Sequence, residues 1–173
     1  MPSGERQDFT EFYAGAFHRL VGQVFLVVGN LGDAEDLVQE AMARASARWG
    51  WLQDYDVPEA WVRRVAMNLA ADRARRGRRR LAAMVRLASM PAAQAVELPT
   101  EDRQIVAALG ALPLSQRQVL VLHHLADLPV GEVAATLRVP VGTVKSRLKR
   151  ARRALAASLS EAELEGVQDA GNR

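Results

Sequence analysis

Two apolar patterns separated by a proline, in the stretch Pro129–Arg153 (PVGEVAATLRVPVGTVKSRLKRARR), constrain this 173-residue chain more than any other segment. Val133, Ala134 and Leu137 recur at i, i+1 and i+4, which predicts a short amphipathic helix. Arg138-Val139-Pro140 ends it, because Pro140 disfavours helical geometry at Val139 and is itself tolerated only in a first helical turn. From Val141 a second apolar row (Val144, Leu148, Ala151, Leu155) again follows the helical repeat, and between its members stand Lys145, Arg147, Lys149, Arg150, Arg152 and Arg153. A helix, a tight turn and a second helix with one packed and one cationic face make a helix-turn-helix pattern.

Charge is segregated along the chain. Residues 63–80 carry eight Arg and one Asp, and residues 138–153 carry seven Lys or Arg and no acid. The remaining residues hold 8 basic and 19 acidic groups, so a formal net charge of +3 conceals two blocks of +7 on an acidic background. Two separate basic blocks predict two contacts with a polyanion, the bland alternative being two solvated helix faces. The absence of cysteine excludes disulfides, thiolate metal sites and cysteine nucleophiles. The longest apolar run, Val24–Val28, is too short to span a bilayer, and Met1–Glu5 has neither the charged nor the apolar segment of a signal peptide. A cytoplasmic protein without membrane insertion is expected.

The rest of the chain reads as all α. Asp8 is placed to cap a first helix through Phe9, Phe12, Phe17, Leu20 and Val24, and Gly29–Gly32 reads as a turn. Asp33 is expected to cap a second helix, Ala34 to about Trp49, with Ala34, Leu37, Val38, Ala41 and Ala45 inward. A loop, Gly50–Val57, precedes a third helix from Pro58 to roughly Arg80, packed at first through Trp61, Val62, Val65, Ala66 and Leu69. Its second half, AADRARRGRRR, has too little apolar surface for a core. Residues 81–99 read as a flexible linker, with one short helix near Leu81–Ala88. Thr100 is placed to cap a helix through Ile105, Val106, Leu109 and Leu112, and Ser115 with Gln118 forms the spacing of a capping box. Residues 160–173 read as a frayed tail. Two small helical domains, 1–80 and 100–159, follow.

The stretches DAEDLVQEAMARA (33–45), WVRRVAMNLAADRARR (61–76), LPLSQRQVLVL (112–122) and GEVAATLRVPVGTVKSRLKRARRAL (131–155) together resemble the extracytoplasmic-function class of the sigma-70 family of bacterial RNA polymerase sigma factors. The resemblance covers about residues 8–159. It implies that the first domain is similar to sigma region 2, that its second helix docks on a coiled coil of the polymerase β′ subunit through Asp36, Leu37, Gln39 and Glu40, and that the second domain is similar to region 4. Asp33, Glu35 and Asp36 have a second reading, as acids that stabilise their own helix N-terminus.

The resemblance further implies that the third helix reads and opens the −10 promoter element, through Asn68 and Asp72 with Arg75 and Arg76. The preceding loop would capture a flipped base on Trp51 and Tyr55. One base–aromatic stack contributes about 1–3 kcal/mol, comparable to unstacking one base, so capture without ATP is energetically plausible. Core packing is the competing reading for Trp49, Trp51 and above all Trp61. Gly142, Thr143, Lys145, Ser146, Arg147, Lys149 and Arg150 fall where relatives meet the −35 element in the major groove. Six cations on phosphates would give a salt slope of about −5. The chain has Arg138 where the family usually has Gly, and Val130 where an aromatic is common.

An autonomous helix-turn-helix regulator is the alternative, but it leaves DLVQE and the Asn68/Asp72 block without a role. No catalytic, cofactor or metal constellation is read. His123 and His124 are adjacent and cannot form an i, i+4 metal pair, and with His18 they are the chain's three imidazoles. Polymerase core, promoter DNA and, by the family's habit, an anti-sigma factor are the implied partners.

Overall fold

The structure, a computed structural model, describes residues 8–84 and 100–170. Every regular element among them is helical, and they fall into two units. Of the expected linker 81–99, residues 81–84 continue the helix that begins at Pro58, and residues 85–99 lie outside the described residues.

The first unit contains α1 (Phe9–Val28) as far as Phe25, α2 (Leu31–Ser46), a single turn α3 (Trp49–Leu52) and α4 (Pro58–Met84). Gly29 has φ +77°, a left-handed geometry that a side chain would strain, and it lets the chain reverse after α1. The cap of α2 is Asn30, not Asp33: the Asn30 side chain accepts from the Asp33 N–H at 2.9 Å. The helix therefore starts earlier than predicted and ends at Ser46, leaving Trp49 to open α3. Ala34, Leu37, Val38, Ala41, Met42 and Ala45 are buried, and α2 packs along α4. Fully burying a side chain such as Leu20, Met42, Leu52 or Met67 is worth roughly 1.5–3 kcal/mol.

An unanticipated charged network joins α1 to α4. Arg63 is 8% exposed, and its guanidinium donates to Gln23 Oε1 at 3.0 Å and to Glu59 Oε1 at 2.7 Å. Arg19 donates to the same carboxylate from α1, so Glu59 ties α1 to α4. Burial raises the pKa of Glu59, but the hydrogen bonds and charges of Arg19 and Arg63 outweigh it and hold the carboxyl below its ordinary value.

The second unit contains α5 (Thr100–Gly110), α6 (Leu114–Leu120), a π-helical turn (Val121–Leu125), α7 (Val130–Leu137) and α8 (Val141–Ala170). The α5, α6 and α7 helices all pack on α8. Prolines stand at the entrances of three helices. The Pro113 carbonyl accepts from Gln116 and Arg117, that of Pro129 from Glu132 and Val133, and that of Pro140 from Thr143 and Val144. Because Pro113 holds the cap position, Ser115 falls inside the first turn of α6 and the predicted capping box does not form. Ile105, read as part of the apolar row of its helix, is exposed, as is Leu125, and Leu109, Leu112, Val119, Leu120, Val121 and Leu122 carry the core. The α8 backbone continues through Ala170, past residue 160, where fraying was expected. Among the described residues no helix is long and apolar enough to cross a membrane.

Candidate nucleic-acid interface

The turn between α7 and α8 is set by Arg138, whose φ of 55° and ψ of 46° are left-handed. Its N–H and that of Val139 both return to the Ala134 carbonyl, closing the C-terminus of α7. Pro140 then starts α8 immediately. Val144, Leu148 and Ala151 are buried, which turns Lys145, Ser146, Lys149 and Arg150 outward, while Thr143 and Arg147 are half-buried. The Ser146 hydroxyl donates to the Thr143 carbonyl at 3.0 Å, so its lone pairs, not its proton, are available to a ligand. A Cβ built on Gly142 would meet nothing within 4 Å. The fold does not demand glycine there, and close approach from outside gains most from it. Lys145, Lys149, Arg152 and Arg153 line a concavity of about 710 Å³ together with His123, Val130, Leu148 and Ala156.

In the first unit, Leu52 is fully buried and anchors α3, so that Trp51 (53% exposed) and Tyr55 (49%) project into solvent with ring centroids 4.7 Å apart. Trp49 instead packs edge-on to Phe9 at 5.2 Å and against Phe12 at 4.9 Å, which makes it structural. Trp61, expected in the core, is only half-buried, and the Arg48 guanidinium lies over its ring at 5.9 Å. Ala47, Arg48, Gly50 and Trp51 border an open concavity of about 500 Å³. Asn68 and Asp72 stand half-buried one turn apart on α4. Asp72 is ion-paired with Arg75, and Arg73 with Asp33 of α2 at 2.5 Å. Arg76 and Arg78–Arg80 are exposed. Arg64, one turn before Asn68, has a buried Nε without a hydrogen-bond partner.

On α2, Asp36, Gln39 and Glu40 are exposed, and Glu40 pairs with Arg44 at 2.5 Å. Leu37 is 4% exposed: its side chain belongs to the core and presents almost no area to a partner.

Against known families, residues 13–80 match the model of sigma-70 region 2 and residues 102–155 that of sigma-70 region 4. The chain is 32% identical to the RNA polymerase sigma-E factor of Streptomyces coelicolor, over 86% of this chain and 84% of that one. It is 34% identical to the ECF RNA polymerase sigma factor SigK of Mycobacterium ulcerans, over 88% and 86%. The chain belongs to the ECF RNA polymerase sigma factors. Among solved structures, the fold is shared with the sigma factor RpoE of Bartonella quintana, solved in complex with the anti-sigma factor NepR (TM-score 0.71, 24% identity, 88% of this chain and 97% of that one). CnrH, solved in complex with the cytosolic domain of CnrY, gives a TM-score of 0.61 at 27% identity, with 92% of each chain covered.

Within this sigma factor, the residues singled out from sequence as DNA contacts separate into three groups. Lys145, Ser146, Lys149 and Arg150 share one face of α8; Trp51 and Tyr55 form one aromatic pair; Asn68, Asp72, Arg75 and Arg76 follow one another along α4. Arg48 and Arg64 were not singled out from sequence: Arg48 borders the concavity beside Trp51, and Arg64 stands one turn before Asn68 on α4. Arg64 carried a signal, its i, i+4 spacing to Asn68. Arg48 carried none, since its place over Trp61 depends on where α2 ends.

Proposed function

We propose that this sigma factor, which directs promoter recognition by RNA polymerase, divides the work among three surfaces. The α8 face of Thr143, Lys145, Ser146, Lys149 and Arg150, with the N-terminal turn at Gly142, enters the major groove of the −35 element. Arg147 contacts backbone at its margin. Trp51 and Tyr55 stack on a base extruded from the −10 element, while Asn68 and Asp72 read base edges and Arg75 and Arg76 meet phosphates. Asp36, Gln39 and Glu40 dock on the basic coiled coil of the polymerase β′ subunit, and Leu37 supports that face from beneath.

The observation that carries this reading is the orientation of α8, whose apolar row is buried and whose lysines and arginines are therefore held outward together. The chain works in the cytoplasm, as an initiation factor and not as an enzyme. Residues 1–80 and 100–159 serve as the two DNA-reading domains. An anti-sigma factor is its silencing partner, a reading supported by family membership.

Run-off transcription with core polymerase on a promoter library tests the proposal: the chain should select one −35/−10 pair and direct initiation there. Tight, specific duplex binding by the chain alone, with no transcription on adding core enzyme, would instead identify an autonomous regulator.

A further inference from the structure

Beside the recognition helix, the second unit departs from regular helical geometry. The Ala126 N–H bonds to the Val121 carbonyl at 3.0 Å, five residues back, which widens the turn carrying His123 and His124. The two histidines leave this turn in different roles. His123 Nδ1 lies 2.9 Å from the Leu128 carbonyl and so donates to it, fixing the loop that leads into α7. His124 is exposed and meets α8: its Nε2 lies 3.3 Å from Arg152 Nε and 3.2 Å from Arg152 Nη2. A guanidinium only donates, so Nε2 is the acceptor and the neutral ring carries its proton on Nδ1. Arg152 stands one turn beyond Leu148, beside Lys145, Lys149 and Arg153 at the concavity described above. His124 faces His123 and Asp127 from its own segment and Arg152 from α8.

We infer that His124 and Arg152 form a proton-linked phosphate clamp at the edge of the α8 face. In the free protein the neutral imidazole holds the guanidinium at the rim, and two of the five guanidinium donors are spent on it. A nucleic-acid phosphate arriving at the rim takes the remaining donors and cancels the charge of Arg152. The imidazole then no longer confronts an uncompensated cation, gains a proton, and adds a second positive donor to the same phosphate. His124 is thus a positioning residue for Arg152 when neutral and a phosphate ligand when charged.

The electrostatics of the free protein agree. Burial first, then the charges of His123 and Arg152, push the imidazole below its ordinary value, while Asp127 acts in the opposite sense. The sign of the linkage follows: the bound state holds more protons than the free state, so affinity rises as pH falls through the pKa of the complex.

The inference rests on the proposal that α8 faces DNA, and one experiment separates the two. The full chain is titrated with a fluorescein-labelled duplex of arbitrary sequence, about 30 base pairs long, at about 50 mM salt, because phosphate contacts are independent of sequence. The His124 imidazole is followed by NMR with and without duplex. Its pKa should rise on adding DNA, and binding should tighten by up to about tenfold per unit of that rise between about pH 8 and about pH 6. His124→Ala should lose about threefold in affinity at about pH 8, as an exposed charge-assisted contact does. His124→Gln, which still accepts from Arg152, should recover most of that loss yet bind with a flat pH profile. An unmoved His124 pKa, or a pH dependence that survives in His124→Gln, overturns the clamp. If Lys145→Ala with Arg150→Ala leaves duplex affinity unchanged, it is the α8 docking reading that fails.

Discussion

Lys145 and Arg150 offer the most direct test of how this sigma factor grips DNA. Both side chains are exposed and neither is ion-paired among the described residues, whereas Val144, Leu148 and Ala151 hold the helix in place from the other side. Replacing both with alanine should leave thermal stability within about 0.5 kcal/mol of wild type. The effect on DNA is larger and has a characteristic form. If six α8 cations neutralise phosphates at about −0.9 each, the slope of log K against log salt is about −5.4. Removing two makes it about −3.6. Between about 50 and about 200 mM salt, a loss in affinity of about 10³ then shrinks to about 10². Fluorescence anisotropy of holoenzyme on promoter DNA across that range measures the slope directly. Promoter-directed transcription should fall while co-purification with core polymerase persists, because the proposed docking residues lie on α2. A slope unchanged by the double substitution would refute the phosphate contacts, and loss of the core complex would refute the division of labour between the two units.

Asp36→Arg combined with Gln39→Ala should abolish co-purification with core polymerase while circular dichroism stays native, since both residues are exposed. Trp51→Ala should cost about 1–3 kcal/mol in open-complex formation, read by permanganate footprinting at the −10 element, with little change in Tm. Glu59→Gln should remove the acid limb of the stability curve: the folded carboxyl titrates below its unfolded value, so its stabilisation is present above the ordinary Glu range and lost as pH falls through the lowered pKa, and chemical denaturation at several pH values measures this. Arg138→Gly should raise stability by about 1 kcal/mol, because only glycine occupies the left-handed geometry at no steric cost; calorimetry measures it.

The helical pattern was legible where one face is buried. The apolar rows of α2 and α8 predict which residues go inward, and the turn at Arg138 follows from Pro140 together with the break in that row. What was not legible depended on tertiary partners. Nothing local distinguishes Asn30 from Asp33 as the cap of α2, and the choice came out with Asp33 turned to Arg73 of α4. Arg63 reads as one more cation of a basic block, yet it is buried beneath Gln23 and Glu59, forty and four residues away. The Glu59/Arg63 pair has i, i+4 spacing, so half of that network had a local signal; Arg19 and Gln23 had none. Leu37 lies within a motif that points to a docking partner, but the helical repeat assigns it to the packed row, and the repeat prevails. The π-helical turn had no signature, because Val121–Leu125 follows directly on α6 without a proline or glycine.

These pairings change the meaning of the two basic blocks, which in sequence look equivalent at +7 each. In the first, Arg63 is buried against Glu59, Arg73 is paired with Asp33 and Arg75 with Asp72. Three of its eight arginines are thus committed to carboxylates before any ligand arrives. In the second, none of the seven cations is ion-paired among the described residues, and Arg152 leans on a neutral imidazole. A paired arginine has its donors directed and part of its charge cancelled, so it contributes geometry more than long-range attraction. An unpaired one on an exposed helix contributes counterion release in full. On the proposed reading, the α8 face is therefore the salt-sensitive grip that brings DNA to the protein. The α4 surface, where Asn68 and Asp72 are held beside directed arginines and the Trp51–Tyr55 pair stands clear of the core, is suited to the shorter-range work of receiving an unpaired base.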